Sequence, residues 1–236
     1  MRKQVKIPLL IFILSLNLLT GCDDEFPDYY NEKEFEVEGF EGVKLGDAFQ
    51  IEIERSSGFS LIAGGENKDL EELKVEVVNG ILIVNYQPGT RNHKRTLLKI
   101  SMPVLKKAEF HSASSSVISG FENTEDDLQI KVSGASRVVT DMEGNIIDLS
   151  VDGASELIFK GSAEKLNARV KGASRLQASE LTVNTAIVEV GGSSEASVNA
   201  AEILSGEVGG HSLLRYRGNP EIINVEVSVD SQMLPL

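Results

Sequence analysis

The chain has 236 residues and a formal net charge of −13, with 36 acidic residues against 23 basic ones. Such an acidic surface repels phosphate backbones, which argues against nucleic acid as a partner. The chain has no Trp and only 6% aromatic residues, so it offers few stacking platforms for sugar rings or bases. Its length allows one or two domains with a sizeable core.

The N-terminus has the layout of a secretory signal peptide. Arg2, Lys3 and Lys6 form a basic start, and the segment 8–19 is almost wholly apolar. This run is shorter than the about 20 residues of a membrane-spanning helix. We therefore expect residues 1–21 to be removed on export, which leaves 36 acidic residues against 20 basic ones.

Cys22 is the only cysteine, and it directly follows the sequence Leu-Thr-Gly at the end of the apolar run. This placement resembles a bacterial lipobox, in which the Cys is acylated and becomes the new N-terminus. A lone Cys cannot form an intrachain disulfide, so we predict lipidation at Cys22 and attachment to a membrane through the acyl chains. Residues 22–32 then form a flexible tether.

The tether begins with the acidic residues 23–25. An acidic run directly after a lipidated Cys resembles the surface-export signal of Bacteroidetes lipoproteins, whereas a solvated linker is the simpler interpretation. The predicted location is the cell envelope, as an outer-membrane lipoprotein, with the outer face of that membrane favoured.

A short repeat centred on a Gly-x-Ser turn begins at residue 111. The segment 132–138 (VSGASRV) has equivalents at 151–157, 170–176, 190–196 and 208–214, and the degenerate first copy at 111–117 has Ser115 as its closing Ser. The closing Ser residues are 18 to 21 positions apart. A period of about 19–20 residues suits one coil of a β-solenoid, and the alternation of apolar and polar residues around each turn predicts half-buried strands.

Stacked coils place equivalent residues in columns. The turn column consists of Gly134, Ser136, Gly153, Ser155, Gly172, Ser174, Gly192, Ser194, Gly210 and Ser212. Gly permits a positive φ at a corner, and Ser hydroxyls about 4.8 Å apart can bond to backbone groups of the corner. The neighbouring column alternates in charge and consists of Arg137, Glu156, Arg175 and Glu195. Opposite charges in adjacent coils form ion pairs, and Asp152 beside Lys171 is expected to do the same.

The predicted fold is all-β, a single-stranded parallel β-helix with coils of about 19–20 residues. A right-handed coil is favoured, since parallel crossovers prefer that hand. Residues 33–110 are expected to form a more irregular N-terminal β region, with a hairpin at Asn79-Gly80. Residues 111–220 form the solenoid coils, and residues 221–236 a terminal strand and tail without a further Gly-rich turn.

Several segments together resemble the "putative auto-transporter adhesin, head GIN domain" family, common among Bacteroidetes lipoproteins. The segments are 43–47 (VKLGD), 49–53 (FQIEI), 73–83 (LKVEVVNGILI), 102–107 (MPVLKK), the Gly-x-Ser turns and 216–220 (YRGNP). The family usually has Gly-Ser-Gly in its turns, where this chain has Gly-Ala-Ser. The resemblance covers about residues 33–230 and implies a β-helical fold and an adhesin-like role.

No catalytic or metal-binding constellation is predicted. His93, His111 and His211 occupy unrelated positions, and with Cys22 lipidated we expect no zinc site and no cofactor. A Ser repeated in every coil is typical of a turn rather than of a nucleophile, and no Gly-x-Ser-x-Gly motif occurs.

A loose acidic group is the feature that fits an enzyme, and it consists of Glu122, Glu125, Asp126, Asp127 and Asp148. β-Helical enzymes that cleave polysaccharides use acidic groups, sometimes with calcium, whereas charge runs are usually solvated loops. The leading hypothesis is a non-enzymatic envelope or surface protein that binds a glycan or protein along one face of the solenoid. The alternatives are a β-helical carbohydrate-active enzyme and a structural or stress-related envelope lipoprotein.

Overall fold

The computed structural model describes residues 31–90, 92–122 and 126–236. In chain order the elements are β1 (Asn31–Phe35), β2 (Gly42–Leu45), β3 (Gln50–Arg55), β4 (Ser60–Gly65), α1 (Asn67–Glu71), β5 (Leu73–Val78), β6 (Ile81–Tyr86), β7 (Leu97–Met102), β8 (Lys107–Phe110), β9 (Ser115–Phe121), β10 (Leu128–Val132), β11 (Arg137–Val151), β12 (Glu156–Val170), β13 (Arg175–Val190), β14 (Glu195–Val208), β15 (Leu213–Arg217), β16 (Ile222–Val227) and β17 (Gln232–Pro235). The predicted signal peptide and Cys22 lie outside the described residues. Asn31 and Glu32, expected in the tether, belong to β1. Among the described residues, the helices do not include one with the length and hydropathy of a membrane span.

Two parallel stacks of strand segments run along the molecule, and each coil contributes one segment to each stack. The front stack holds the segments before the Gly-x-Ser turns, in the order β6, β2, β8, β10, the C-terminal parts of β11 to β14, and β16. The back stack holds the segments after the turns, in the order β7, β3, β9, the N-terminal parts of β11 to β14, β15 and β17. The prediction of an all-β parallel solenoid is confirmed.

Apolar side chains fill the space between the stacks. Val151 of the front stack, and Leu157 and Phe159 of the back stack, are each 0% exposed. The same inward positions recur in each coil, because successive residues of a strand point to opposite faces. The resulting core is continuous from Phe40 to Leu214. Its continuity holds the two stacks at a fixed separation.

The parallel coils begin well before residue 111. The pairs β2–β3 and β8–β9 are stacked coils, and β6–β7 lies on the outer side of β2–β3. A later segment of the chain therefore lies outside an earlier one. The strands β5 and β4 pair antiparallel with β6 and β7, and β1 pairs antiparallel with β4. Together with α1 they close this end of the solenoid, which we call the capped end.

The opposite end has one coil more than the sequence predicts. The segment 228–231 (SVDS) joins β16 to β17 as a turn without any Gly, and the Oγ of Ser231 accepts the N–H of Ser212 at 3.2 Å. Ile223 and Val227 continue the inward-facing columns and are 45% and 41% exposed. The segment expected to be a terminal strand and tail is therefore a final coil, and its inward side chains are incompletely covered by the described residues.

Candidate binding surface

The turn column contains a buried ladder of serine hydroxyls. From coil to coil, the Oγ of each Ser accepts the backbone N–H of the equivalent Ser one coil earlier, at 3.2–3.4 Å. The ladder consists of Ser114, Ser136, Ser155, Ser174, Ser194, Ser212 and Ser231. These residues are at most 9% exposed, so their hydroxyls support the corner and are shielded from an external substrate.

The first rung differs from the sequence prediction, in which Ser115 is the closing residue. The structure places Ser114 on the ladder, where both its N–H and its Oγ lie 3.2 Å from the Oγ of Ser136. Ser115 instead begins β9 and is exposed. Three consecutive Ser residues, 114–116, leave this register open in the sequence.

The Gly of each turn has a positive φ and stacks on the Gly of the coil before it. Gly172 has φ +80°, and a Cβ built there would lie 2.5 Å from the carbonyl oxygen of Gly153. The equivalent residues with φ between +69° and +83° are Gly134, Gly153, Gly192 and Gly210. Both the left-handed conformation and the close approach of backbone require the absence of a side chain.

The alternating charges lie on the outer face of the back stack, beside the turn column. Arg137, Glu156, Arg175 and Glu195 are aligned in register across four coils. Arg137 contacts Glu156, and the Nε of Arg175 lies 3.5 Å from Oε2 of Glu195, which Arg215 of the next coil also contacts. Since the arginine side chains are 37–56% exposed, each pair is worth about 1 kcal/mol or less.

The predicted pair of Asp152 with Lys171 is wrong. The Nζ of Lys171 lies 2.6 Å from Oε1 of Glu189, while Oδ1 of Asp152 accepts the N–H of Gly153 at 2.7 Å. An aspartate at the start of a turn readily accepts a nearby backbone N–H. That local bond holds the Asp152 carboxylate at its own turn.

The outer face of the front stack presents two further columns. The first consists of Gln129, Asp148, Asn167, Ile187, Ser205 and Asn224. The second consists of Lys131, Ser150, Arg169, Glu189, Glu207 and Glu226. Between β10 and β14 these columns line an open depression of about 840 Å³, which we call the front groove. None of the described residues that line this groove is aromatic.

Side chains in the front groove bond to one another across coils. The Nδ2 of Asn167 donates to Oδ1 of Asp148 at 2.7 Å, and the Nε of Arg169 donates to Oε2 of Glu189 at 2.6 Å. Hydrogen bonds from Lys171 and Arg169 hold the pKa of Glu189 below its usual range. The groove is therefore a pre-ordered surface of amide, carboxylate and guanidinium groups.

The charge of the front face changes sign along the solenoid. Towards the capped end, the ammonium groups of Lys44, Lys107 and Lys131 lie 3.0–3.9 Å from the carboxylate of Glu109. Burial acts to raise the pKa of Glu109, but the hydrogen bond from Lys107 and the three cations hold it below its usual range. At the other end the second column finishes with three successive glutamates. A charged partner would therefore bind in a preferred direction.

The acidic residues that fit an enzyme are distributed over different structural roles. Oδ1 of Asp127 accepts the Nδ2–H of Asn145 and the N–H of Ile146, both at 3.1 Å. Asp148 is a member of the front groove, and Glu125 lies outside the described residues. The Asp127 carboxylate thus bonds to side-chain and backbone donors of the following coil.

The structure also brings together three metal-ligating residue types that are separated in the sequence. Asp69 of α1, Glu72 at its C-cap and His93 of the loop after β6 have ligand atoms within 4.8 Å of one another. The expectation of no metal site compared the histidines only with each other. The overlooked signal is the i, i+3 spacing of Asp69 and Glu72, which places two carboxylates on one side of a helical turn.

Comparisons with known proteins agree with this architecture. The family model described as "Putative auto-transporter adhesin, head GIN domain" matches residues 39–220. A putative adhesin from Bacteroides fragilis has a TM-score of 0.79 at 19% identity, with 89% of this chain and 98% of that one covered. A putative adhesin from Parabacteroides distasonis has a TM-score of 0.65 at 16% identity, with coverages of 88% and 97%.

A third solved structure has a different description. It is a "putative lipid binding protein" from Parabacteroides distasonis, with a TM-score of 0.68 at 17% identity and coverages of 89% and 98%. The chain matches no curated protein. At these identities the likeness to the solved structures establishes the fold.

Proposed function

The chain belongs to the head GIN domain family of putative auto-transporter adhesins, and we propose that it is an adhesin-like lipoprotein that binds its partner without catalysis. The partner is an extended glycan or polypeptide that lies along the front groove.

The proposed location is the outer membrane, with the solenoid outside the cell. Support comes from the apolar leader 1–21, the lone Cys22 after it and the acidic residues 23–25. Cys22 is nine residues before β1, which pairs with β4 at the capped end. A lipid anchor would therefore hold the capped end next to the membrane, and the later coils would extend from it.

The observation that carries the binding role is the alignment of polar groups in the front groove. Equivalent side chains of successive coils, such as Asp148 and Asn167, repeat at the strand spacing of about 4.8 Å. A polymer with repeated polar groups can bond to several coils at once. Because the groove side chains are already held by their own bonds, binding costs little conformational entropy.

The positions of the acidic residues favour binding over glycan cleavage. Glycosidases place a general acid and a second carboxylate on the two sides of the scissile bond. Here the Asp127 carboxylate bonds to Asn145 and Ile146, and Asp148 bonds to Asn167. The ladder serines are buried, which argues equally against their use as nucleophiles.

Location is tested by protease treatment of intact cells. We expect protease-treated cells to contain less of the protein than untreated cells, while a periplasmic marker stays intact. Protection until the outer membrane is broken would place the solenoid inside the cell and would contradict an adhesive role.

Binding is tested with a deletion strain that is complemented by three forms of the full chain. The forms are wild type, the front variant Asn167→Ala/Arg169→Ala and the back variant Gln177→Ala/Lys160→Ala. The two variants are matched, because each removes one amide that bonds to the preceding coil and one cation that pairs with the following coil. Attachment to immobilised glycans and matrix proteins is measured.

We expect wild type and the back variant to restore attachment equally. Cells with the front variant should attach at least about tenfold less, which corresponds to a loss of about 1.4 kcal/mol of binding free energy. Equal attachment of the deletion and wild-type strains across the panel would favour a structural or stress-related envelope role. Cleavage of an acidic glycan that is lost in Asp126→Asn/Asp127→Asn would favour the carbohydrate-active alternative.

A further inference from the structure

We propose that Asp69, Glu72 and His93 form a binding site for one divalent transition-metal ion, with Zn²⁺ as the representative ion. The site lies at the capped end and is separate from the front groove. It does not depend on the proposed function.

The ligand set comes from two segments of the chain. Asp69 and Glu72 are supplied by the turn of helix after β4, and His93 by the loop that joins β6 to β7. One ligand atom from each residue lies within 4.8 Å of the other two, and Oε2 of Glu72 is 2.8 Å from Nε2 of His93. Ligands around a tetrahedral zinc with bonds of about 2.0–2.2 Å lie roughly 3.3–3.6 Å apart. The ligand atoms, which are at most 4.8 Å apart, are already close to that arrangement.

Charge balance favours a cation in this place. The Asp69 side chain is only 2% exposed, and its Oδ2 accepts the N–H of Lys94 at 2.9 Å. Glu72, with a side chain 22% exposed, brings a second carboxylate close to it. Within the described parts of the chain, neither carboxylate forms an ion pair with Lys or Arg. Two adjacent carboxylate groups with little access to solvent are stabilised by a positive partner, which a metal ion would supply.

The imidazole is held in a fixed orientation. The ring of Tyr86 stacks on that of His93 with centroids 3.5 Å apart and planes 9° from parallel. The Tyr86 hydroxyl lies 2.7 Å from the hydroxyl of Thr96. The backbone N–H of Tyr86 donates to Oδ2 of Asp47 at 2.9 Å. These contacts direct Nε2 of His93 towards Glu72. Partners that fix the orientation of a ligand contribute strongly to metal affinity.

The chemistry of the donors selects the class of ion. Calcium and magnesium prefer sets made of oxygen alone, whereas zinc and its first-row neighbours accept an imidazole nitrogen together with carboxylate oxygens. Three protein ligands leave a coordination position for water. A bound ion would join α1 to the segment that contains His93 and would therefore strengthen the cap of the solenoid.

The test is calorimetric titration of Zn²⁺ into the full chain, purified in detergent and freed of metal with a chelator. We expect one saturable site per chain. Glu72→Gln and His93→Gln should weaken binding at least about tenfold, by analogy with the sensitivity of metal sites to changes around the ion. His211→Asn is the matched control, since it also removes one histidine while Asn tolerates the φ of +67° found there.

Three outcomes would overturn the proposal. The first is that the wild-type chain shows no saturable binding. The second is that Glu72→Gln and His93→Gln both bind Zn²⁺ as wild type does. The third is that Cys22→Ser loses binding, which would assign the ion to the thiol. Circular dichroism of each variant checks that the fold is retained. X-ray absorption at the zinc edge gives a readout that is independent of the variants, because the proposed site requires nitrogen and oxygen neighbours and no sulfur.

Discussion

The backbone N–H of Ser174 donates to the Oγ of Ser194, one coil later, at 3.3 Å. Ser194 is only 3% exposed, whereas its neighbour Ser193 in the same turn is exposed. The backbone N–H of Ser174 lies outside the hydrogen bonding between parallel strands. In the ladder, a serine hydroxyl accepts it instead. Each coil supplies the acceptor for the coil before it.

The first prediction compares these two adjacent serines. Ser194→Ala leaves the buried N–H of Ser174 without its acceptor, and the free energy of unfolding should fall by about 1–3 kcal/mol. Ser193→Ala is the control and should change it by less than about 0.5 kcal/mol, since Ala already occupies the equivalent position in the turns at 154 and 173. Urea denaturation measures both. Equal midpoints for the two variants would show that the ladder bond contributes nothing.

The second prediction concerns the glycines of the turn. Gly172→Ala places a Cβ 2.5 Å from the carbonyl oxygen of Gly153 at a φ of +80°, and the left-handed conformation alone costs about 1–2 kcal/mol. We expect a loss of stability above that value. Gly191→Ala should be nearly neutral, because nothing lies within 4 Å of its added Cβ and its φ is not positive. A stable Gly172→Ala protein would mean that the corner can rearrange.

The third prediction concerns the pKa of the Tyr86 hydroxyl, which is raised. Burial raises the pKa of Tyr86 to about 12, against the hydrogen bond with Thr96 that lowers it, and the carboxylates of Asp69, Asp47 and Glu72 raise it further. Ultraviolet titration of the phenolate should show one tyrosine that ionises near pH 12, and Tyr86→Phe should remove that step. A full titration near pH 10 in wild type would contradict the prediction.

The sign of the effect on stability follows from the raised pKa of Tyr86. The folded chain holds the phenolic proton more tightly than the unfolded chain. The contribution of this difference to the free energy of unfolding is therefore complete below about pH 10. It is lost as the pH rises through about 12. Tyr86→Phe should therefore show less alkaline destabilisation between these two values than wild type.

The fourth prediction concerns acid sensitivity in the front groove. Hydrogen bonds from Lys171 and Arg169 lower the pKa of Glu189. The contribution of Glu189 to the free energy of unfolding is therefore present above the pKa of an unfolded Glu. It is lost as the pH falls through the lowered pKa of the folded state. The difference in stability between wild type and Glu189→Gln should shrink over that range. Because the pair is exposed, high salt should also reduce the difference. A difference that persists in acid would assign the effect to packing.

The repeat could be predicted because its information is local. Each coil contacts mainly its neighbours, so the period alone places residues such as Ser136 and Ser155 in one column. The charge column follows from the same register. The rest depends on contacts that the period does not encode, such as the approach of His93 to Asp69. The Gly pattern does not predict the turn closed by Ser231, because this turn contains no Gly and the ladder needs only the hydroxyl.

The front groove could be predicted only in part. The alternation identifies Asn167 and Arg169 as outward-facing residues, but a similar alternation marks Gln177 on the opposite face. Which outward face is concave depends on how the long strands bend between the two stacks, and that bend is a property of the stacked coils together.

The interleaving of the early coils has a consequence for how the chain acquires its structure. The strands β2 and β3 lie between β6–β7 on one side and β8–β9 on the other, so their edges stay unpaired until the chain is available to residue 121. The coils from β10 to β14 have no such delay, since each pairs with the next along the sequence. Contacts of short sequence separation form fastest. We therefore expect folding to nucleate in the later repeats and to reach the N-terminal strands last, although these are the first to be synthesised.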